Sequence, residues 1–333
     1  MSQSAGSATS TIHFFLLNYM EDFNKTEVTE FIFLAFGNSS AHPILLFMIL
    51  LFLYLFIVSG NMLMILVIRY DSRLHTPMYF FVFILSCSDI CSLTVTIPQT
   101  LCNLLGSSSS ILYNNCATQM FFFIVFGAVQ LVIVSIMAYD RYVAIGNPLR
   151  YKIVMCWETC LKLLGLALIF GCALSFVVVY ILFRLPFCRT PEIAHFYCDT
   201  GQIMLLTCHN WLAEITTFLL GIGVITIPIL ILITSYIYII GAVLKIRTTK
   251  GKRKALSTCS SHITIVVVEY GCLGFMYFRP TEAYYLDKDK VFVMTFTFLA
   301  PILNPVVYTV RNKAVHDGLK RLISTRSFKV DVK

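Results

Sequence analysis

"MFFFIVFGAVQLVIVSIMAYDRY", residues 120–142, sets twenty uncharged residues directly before an Asp-Arg-Tyr triplet. A helix needs about 20 apolar residues to cross the hydrocarbon core of a bilayer. The stretch therefore predicts a helix that spans a membrane. An acid beside a guanidinium is an unusual end for such a helix, so Asp140 and Arg141 are also candidates for a functional role.

The composition extends this interpretation to the whole chain. Hydrophobic residues make up 58% of the 333 residues and charged residues only 13%, whereas a soluble domain carries about 25% charged residues. Lipid is therefore the predicted solvent. The sequence contains no Gly-rich phosphate-binding loop, no His-Glu-x-x-His and no Cys-x-x-Cys spacing. We therefore expect no cofactor, no metal ion and no enzyme activity.

Seven stretches reach the length of a membrane span, and they predict an all-α membrane protein, a seven-transmembrane helix bundle. They are residues 44–68, 78–102, 120–139, 163–183, 215–244, 256–278 and 291–310. If the N-terminus is extracellular, 19 of the 25 Lys and Arg residues lie in cytoplasmic loops or in the tail, as the positive-inside rule requires. The predicted parts are an extracellular N-terminus (1–43), a membrane domain (44–310) and a cytoplasmic tail (311–333). The net charge of +8 then indicates contact with membrane lipid and a cytoplasmic partner, and not with nucleic acid.

Two features outside the spans agree with this topology. Asn24 and Asn38 begin Asn-x-Ser/Thr sequons ahead of the first span, which predicts glycosylation outside the cell. In the tail, four apolar residues recur with a helical period and predict a short amphipathic eighth helix on the inner leaflet; a disordered basic tail is the alternative. These four residues are Val315, Leu319, Leu322 and Ile323.

Four of the twelve Cys residues are extracellular in this topology, where disulfide bonds form readily. Four cysteines allow three connectivities. The favoured connectivity has Cys116–Cys198, which ties the top of the third helix to the second outer loop, and Cys188–Cys208, which closes that loop. Cys116–Cys208 is the main alternative.

Three polar residues near the middle of their spans, Asn61, Asp89 and Asn304, predict a buried polar network in which the side chains meet through water. A charge at the centre of a bilayer costs about 2.5–3.5 kcal/mol on insertion scales, so a carboxylate there indicates a function. The alternative is a simple hydrogen bond between helices, which contributes about 1–2 kcal/mol at most.

Two features predict a protein that changes shape. Arg141 is always ionised, and its release from Asp140 would free a basic side chain for an intracellular partner. The alternative is an Arg141 that extends to the interface and is merely balanced by Asp140. In the seventh span, Pro301 and Pro305 each remove a backbone hydrogen bond, which favours a hinge over a static kink.

Sequence motifs that follow one another along the chain then identify a family. They are "LHTPMYFF" (74–81), "LSCSD" (85–89), "MAYDRYVAI" (137–145), "PLRY" (148–151), "KALSTCSSH" (254–262) and "PILNPVVYTVRN" (301–312), with Gly60-Asn61 and Ser235-Tyr236 in addition. In these residues the chain resembles the olfactory receptors, a branch of the rhodopsin-like class A G-protein-coupled receptors. "PMYFF", "MAYDRYVAI" and "KALSTCSSH" are far more specific to that branch than the bare Asp-Arg-Tyr.

The resemblance implies an odorant receptor, a multi-pass protein of the plasma membrane expected in the cilia of olfactory sensory neurons. A small volatile or lipophilic ligand would enter the outer half of the bundle, and the sixth helix would shift outward at its inner end. A heterotrimeric G protein of the stimulatory olfactory type would then bind there, and cyclic AMP would rise. The residues that the resemblance assigns to activation and coupling are Asp140, Arg141, Tyr142, Tyr236, Asn304, Pro305 and Tyr308.

The resemblance also places the ligand pocket among the outer halves of the third, fifth, sixth and seventh helices. Helical spacing then selects candidate lining residues, for each of which plain core packing is the alternative. They are Phe123, Ile124, Gly127, Ala128, Val224, Tyr270, Leu273, Tyr277, Met294 and Thr297.

Two departures from the family pattern bear on the polar network and the ligand pocket. Most relatives carry a Glu where this chain has Gln130, so a sodium ion shared with Asp89 is doubtful here. Gln130 joins Asn61, Asp89 and Asn304 in the expected polar network. Glu269 stands where an aromatic residue is usual. It is a candidate for ligand contact, which would favour amines, or for replacing the missing carboxylate; a neutral acid bonded to a neighbouring helix is the alternative.

Other functions fit the sequence less well. A transporter or channel needs a polar path, and Asp89, Gln130 and Glu269 are too few to line one. An intramembrane enzyme needs paired catalytic groups, and the sequence has no such motif. A receptor expressed outside the nose that detects a metabolite is the remaining alternative.

Overall fold

The structure, a computed structural model, describes residues 28–34, 42–106, 109–208, 211–246, 248–277, 287–311 and 313–330. Long helices account for most of these residues. They are α1 (Pro43–Tyr70), α2 (Pro77–Leu104), α3 (Tyr113–Gly146), α4 (Trp157–Arg184), α5 (Trp211–Lys245), α6 (Thr249–Tyr277), α7 (Asp287–Arg311) and α8 (Lys313–Val330). Short helical segments lie in the connections at Ser72–Leu74, Tyr151–Val154 and Thr200–Leu206.

Helices α1 to α7 correspond to the predicted spans and are longer than them. α3, for example, extends past both ends of the span predicted at 120–139, because a helix bonds its own backbone and can continue into the polar interface. Among the residues that the structure describes, five helices, α1 to α5, are long and apolar enough to cross a membrane by length and composition. α6 and α7 contain shorter apolar stretches, His262–Gly271 and Thr297–Thr309, since both helices begin with charged residues. The predicted end of the sixth span, Phe278, lies outside the described residues.

A small sheet, which the sequence did not predict, covers one end of the bundle. Strand β1 (Glu30–Phe33) lies between β2 (Ser110–Leu112), to which it is antiparallel, and β3 (Glu192–Ile193), to which it is parallel. Side chains alternate along a strand, and accordingly Phe31 and Phe33 are buried whereas Glu30 and Ile32 are exposed. We call this end of the bundle the sheet end, and the opposite end, where α3 finishes, the Arg141 end.

α3 is the central helix of the bundle. It packs against α2, α4 and α5, and it also contacts α6. Its approach to α4 depends on Gly171, because a Cβ atom there would lie 3.1 Å from the carbonyl oxygen of Val125 and 3.4 Å from Cγ2 of Val129. Any larger residue at position 171 would push the two helices apart.

The Gly60-Asn61 pair in α1 compensates for the prolines of α7. Pro305 has no N–H, so the carbonyl group of Pro301, one turn earlier, has no donor within its own helix. Asn61 supplies that donor: its Nδ2 lies 3.1 Å from the Pro301 oxygen and 3.1 Å from the Ile57 oxygen. The two helices pack closely at this point, since a Cβ atom at Gly60 would make van der Waals contact with Cγ of Pro305 at 3.6 Å. Asn61 therefore satisfies the carbonyl group that Pro305 leaves without a donor, in a lipid environment that offers no hydrogen bonds.

α8 packs its apolar face on the protein, a contact that the interpretation as a surface helix on the inner leaflet did not include. Val315 is buried, and Leu319 and Leu322 pack against the core; the Ile323 side chain lies outside the described part of the structure. Gly318 faces the end of α1 so closely that a Cβ atom would lie 3.1 Å from Cγ1 of Val67. α8 is therefore held by α1 and by the turn that follows α1.

An ion pair fixes this contact. Arg321 donates from Nε to Oδ2 of Asp71 at 3.0 Å, and its terminal nitrogen bonds the same oxygen. Burial raises the pKa of Asp71, but the hydrogen bonds and charges of Arg321 and Arg73 outweigh it, so the pKa lies below its ordinary value. The stabilisation is therefore present at neutral pH and is lost as the pH falls through the lowered pKa.

We expect Asp71→Asn to lower the free energy of unfolding by about 1 kcal/mol, because the isosteric amide removes the charge from a half-buried pair. The melting temperature of the purified protein in detergent measures this change. Glu158→Gln is the matched control, since Glu158 and Lys162 form a pair that is 75% and 71% exposed. Equal melting temperatures for the two variants would show that α8 is not held by Asp71.

Candidate functional site

A cavity of about 990 Å³ opens near the sheet end, between α3, α5, α6, α7 and the connection from α4 to α5. Its volume lies at the upper end of the range for small-molecule sites. Apolar side chains form most of the wall, and a few polar groups are placed among them. This is the composition expected of a site for a small lipophilic molecule.

Eight of the lining residues expected from the sequence lie at the cavity wall. They are Phe123, Ile124, Gly127, Ala128, Val224, Glu269, Leu273 and Thr297. The four from α3 follow the helical period, so a single face of that helix points into the cavity.

Two expected lining residues, Tyr270 and Met294, are not at the wall of the described structure. Tyr270 turns towards α3, where its hydroxyl lies 3.0 Å from both the Leu131 carbonyl oxygen and Oγ of Ser135, so its polar end is already satisfied. Met294 packs against Phe196 and Tyr197. The side chain of Tyr277 lies outside the described residues.

The connection between α4 and α5 contributes a wall that the sequence reasoning missed. The bonds Cys116–Cys198 and Cys188–Cys208, the connectivity favoured from the sequence, draw it over the cavity. Gln119 fixes the position of Cys198, because its Oε1 accepts from the Cys198 N–H at 3.0 Å. Additional lining residues in this connection are Asp199, Thr200, Gly201 and Met204. The cysteine spacing was the available signal, but it predicts covalent bonds and not the path of the chain between them.

Four polar side chains meet at the inner floor of the cavity. Gln130 donates from Nε2 to Oδ1 of Asp89 at 3.0 Å, and Asn304 donates from Nδ2 to Oδ2 of Asp89 at 2.9 Å. The same Nδ2 lies 3.4 Å from Oε1 of Glu269. These contacts are direct and connect α2, α3, α6 and α7, whereas the sequence predicted contact through water.

Asn61, the fourth expected member of that network, bonds elsewhere. Its Nδ2 serves the carbonyl groups of Ile57 and Pro301. It is therefore joined to α7 through the backbone that Pro305 leaves without a donor, and not to the carboxyl group of Asp89.

At the Arg141 end, Asp140 holds Arg141 in a closed arrangement. Nη2 of Arg141 lies 2.8 Å from Oδ2 of Asp140, and the Tyr151 hydroxyl donates to Oδ1 of Asp140 at 2.7 Å. Asp140 is fully buried, and each of its two oxygens accepts one of these hydrogen bonds. Tyr151 belongs to the quoted "PLRY" motif, but its role was not predicted from the sequence.

A second contact at this end joins three helices. His262 of α6 lies 3.1 Å, through Nε2, from the carbonyl oxygen of Val134 on α3, and its Nδ1 lies 2.6 Å from the Tyr236 hydroxyl on α5. A carbonyl group only accepts, so Nε2 carries the proton and Tyr236 donates to Nδ1. This arrangement holds the inner part of α6 against α3.

The other residues expected to take part in activation lie nearby. Tyr308 is buried on α7, and its hydroxyl lies 3.8 Å from Sδ of Met137 on α3. The ring of Tyr142 packs at a tilt against the rings of Tyr139 and Tyr238. The cavity and the Asp140–Arg141 pair thus lie on one helix, α3, and the floor network and the His262 contact lie between them.

Helices α1 to α7, with a small-molecule cavity near one end and an arginine ion pair at the other, form the arrangement expected of a G-protein-coupled receptor. Comparison with known proteins gives the branch. The family model for olfactory receptors matches residues 50–326, and the chain belongs to the olfactory receptor family. It is therefore an odorant receptor, a multi-pass protein of the plasma membrane with a G-protein partner, and not an enzyme.

Individual relatives agree over more than nine-tenths of their length. Human olfactory receptor 10R2 is 42% identical over 304 residues, which cover 91% of each chain. Human olfactory receptor 10K1 is 41% identical over 91% of this chain and 97% of its own. Mouse olfactory receptor 10J5 is 40% identical over 91% of this chain and 98% of its own.

Filling the cavity from Gly127 tests whether odorants bind there. A Cβ atom at Gly127 meets nothing within 4 Å, so we expect Gly127→Leu to reach the cell surface normally and to lose potency for odorants. Gly171→Leu is the contrasting variant: it places the same side chain between α3 and α4, and we expect less protein at the surface. Wild-type potency of Gly127→Leu across an odorant panel would exclude the cavity as the binding site.

Removing the Tyr151 hydroxyl tests the closed arrangement of Arg141. Tyr151→Phe leaves a buried oxygen of Asp140 without a donor, which costs about 1–3 kcal/mol, so we expect more ligand-independent nucleotide exchange on the G protein. Tyr139→Phe, the same change at a half-exposed tyrosine of α3, should leave this basal exchange unaltered. Basal exchange that stays at the wild-type level in Tyr151→Phe would contradict the role given to Asp140.

Proposed function

We propose that a small lipophilic odorant binds in the cavity and that the receptor activates a stimulatory, olfactory-type G protein, which raises cyclic AMP. The observation that carries the proposal is the position of both sites on α3, with the cavity near one end and the Asp140–Arg141 pair at the other. A ligand that shifts this helix or its neighbours would change the surroundings of Arg141.

The coupling needs two arrangements of the bundle that ligand and G protein both distinguish. In the closed arrangement, Asp140 holds Arg141, and His262 holds α6 against the Val134 carbonyl group. In the open arrangement, the inner part of α6 moves away, the His262 contact breaks, and Arg141 turns to the G protein. An odorant favours the second arrangement if it binds more tightly there.

The activation residues then divide into three groups. Asp140, Arg141 and Tyr142 form the end of α3 that meets the G protein. Tyr236 holds His262 in the closed arrangement through the hydrogen bond from its hydroxyl group to Nδ1. Asn304, Pro305 and Tyr308 lie on the part of α7 that connects the cavity floor to the Arg141 end. Pro305 makes that part of α7 easier to bend.

This function requires the sheet end to face the outside of the cell. Residues 1–43 would then be extracellular, residues 44–310 would cross the membrane, and residues 311–333 would be cytoplasmic. Both predicted glycosylation sites, Asn24 and Asn38, belong to the extracellular part and lie outside the described residues. The two disulfide bonds at the sheet end suit an oxidising exterior.

We expect Arg141→Ala to bind odorant with unchanged affinity but to lose the cyclic AMP response, because the residue meets the G protein and not the ligand. An odorant found by screening wild-type cells supplies the probe, and its stabilisation of the purified receptor against heat reports binding. Lys162→Ala removes an exposed basic residue near the same end and serves as the control, with a retained response.

Two results would contradict this account. A full cyclic AMP response from Arg141→Ala would remove Arg141 from the coupling mechanism. An odorant response in wild-type cells that raises calcium but never cyclic AMP would show that the G protein is of another type.

A further inference from the structure

The carboxyl group of Glu269 has an unusual position in this bundle. Glu269 lies on α6, is 8% exposed, and lines the inner part of the cavity together with Gln130 and Thr297. A carboxyl group among membrane helices has a high free-energy cost, and such groups commonly mark functional sites.

Glu269 receives less from its neighbours than Asp89 does. Both oxygens of Asp89 accept short hydrogen bonds, from Gln130 at 3.0 Å and from Asn304 at 2.9 Å. Glu269 shares the same Asn304 nitrogen at 3.4 Å through Oε1, and within the described part of the chain its buried Oε2 has no hydrogen-bond partner. Of the two carboxyl groups at the floor, that of Glu269 therefore has an oxygen, Oε2, that can accept a further hydrogen bond.

The groups at the floor also lack positive charge. The donors that reach the two carboxyl groups are amides, and no basic side chain of the described residues bonds Glu269. In a medium of low dielectric constant, a carboxylate is stabilised most by a cation that bonds it directly. A ligand that carries an ammonium group would supply both the charge and the missing donor.

The other acids at the cavity wall are worse anchors. Oδ2 of Asp199 accepts from the backbone N–H groups of Gly201 and Gln202 at 3.0 and 3.2 Å, because it caps the short helix Thr200–Leu206. Glu214 lines the outer part of the cavity and is exposed, so an ion pair there would be screened by water. Apolar residues that line the same cavity as Glu269, such as Leu273 and Phe123, suit a hydrocarbon group.

We propose that Glu269 anchors the ammonium group of the odorant, so that this receptor binds small hydrophobic amines in preference to uncharged molecules of the same shape. The inference rests on the proposed function, ligand binding in the cavity, and adds the chemical class of the ligand. The hydrocarbon part of the amine lies against Phe123, Val224 and Leu273, and the nitrogen donates to the Glu269 carboxylate.

Matched pairs of amines and alcohols test the proposal. The probes are cyclohexylamine with cyclohexanol, 2-phenylethylamine with 2-phenylethanol, and 3-methylbutylamine with 3-methylbutanol, all at neutral pH, where the amines are protonated. Binding is measured as the rise in melting temperature of the purified full-length receptor in lipid nanodiscs. We expect at least one amine to bind about tenfold more tightly than its alcohol.

Variants locate the anchor. In Glu269→Gln, we expect the affinity for the amine to fall about tenfold to a hundredfold while that for the alcohol is unchanged. Glu158→Gln, the same substitution at an exposed acid that does not line the cavity, should keep the preference for the amine. Glu269→Asp retains the charge and should keep part of the preference, which provides a second test if the Gln variant folds poorly.

Several outcomes would overturn the proposal: alcohols that bind as tightly as their amines, amines that produce no shift in wild-type receptor, or an amine preference that survives Glu269→Gln or disappears in Glu158→Gln. Because the assay measures binding without a G protein, these outcomes are separate from the proposed function. Amines that bind through Glu269 but never raise cyclic AMP would contradict the G-protein assignment and leave this inference standing.

Discussion

One amide group, the side chain of Asn304, lies between two carboxyl groups in the middle of a bundle that lipid surrounds. Lipid offers no hydrogen bonds, so every polar group at this depth depends on partners that other helices supply. Asp89 has its partners from α3 and α7, and Glu269 has only a long contact to Asn304. The hydrogen bonds among the four side chains at the cavity floor therefore fix the positions of α2, α3, α6 and α7 relative to one another. A ligand that changes one of these hydrogen bonds affects the others.

The same constraint explains contacts farther from the cavity. Pro305 leaves the Pro301 carbonyl group without a donor, and α1 supplies one through Asn61. His262 of α6 donates to a carbonyl group of α3 near the Arg141 end. Each of these hydrogen bonds connects two helices at a point where a side chain replaces water. Helix movement in this protein therefore means exchanging particular hydrogen bonds, which allows discrete arrangements and not a continuous range.

The sequence predicted the spans because the required apolar length depends on the bilayer and not on packing. It also predicted the α3 face of the cavity, since one helical period fixes Phe123, Ile124, Gly127 and Ala128 together. It failed for Tyr270, because residues on several sides of α6 are apolar and the period does not determine the rotation of the helix. It missed the wall between α4 and α5, where disulfide bonds and a capped short helix set the path. The role of Asn61 could have been predicted in part from the sequence, because a proline at 305 leaves the carbonyl group at 301 in need of a donor.

The central claim is that ligand binding near the sheet end separates α6 from α3 at the Arg141 end. The distance between spin labels at two exposed positions, Leu149 beyond the end of α3 and Arg253 in the first turns of α6, measures this most directly. Labels attached through unnatural amino acids avoid the native cysteines. The account predicts that the distance lengthens when an odorant binds and lengthens further with the G protein. A distance that stays constant while the odorant accelerates nucleotide exchange would contradict it.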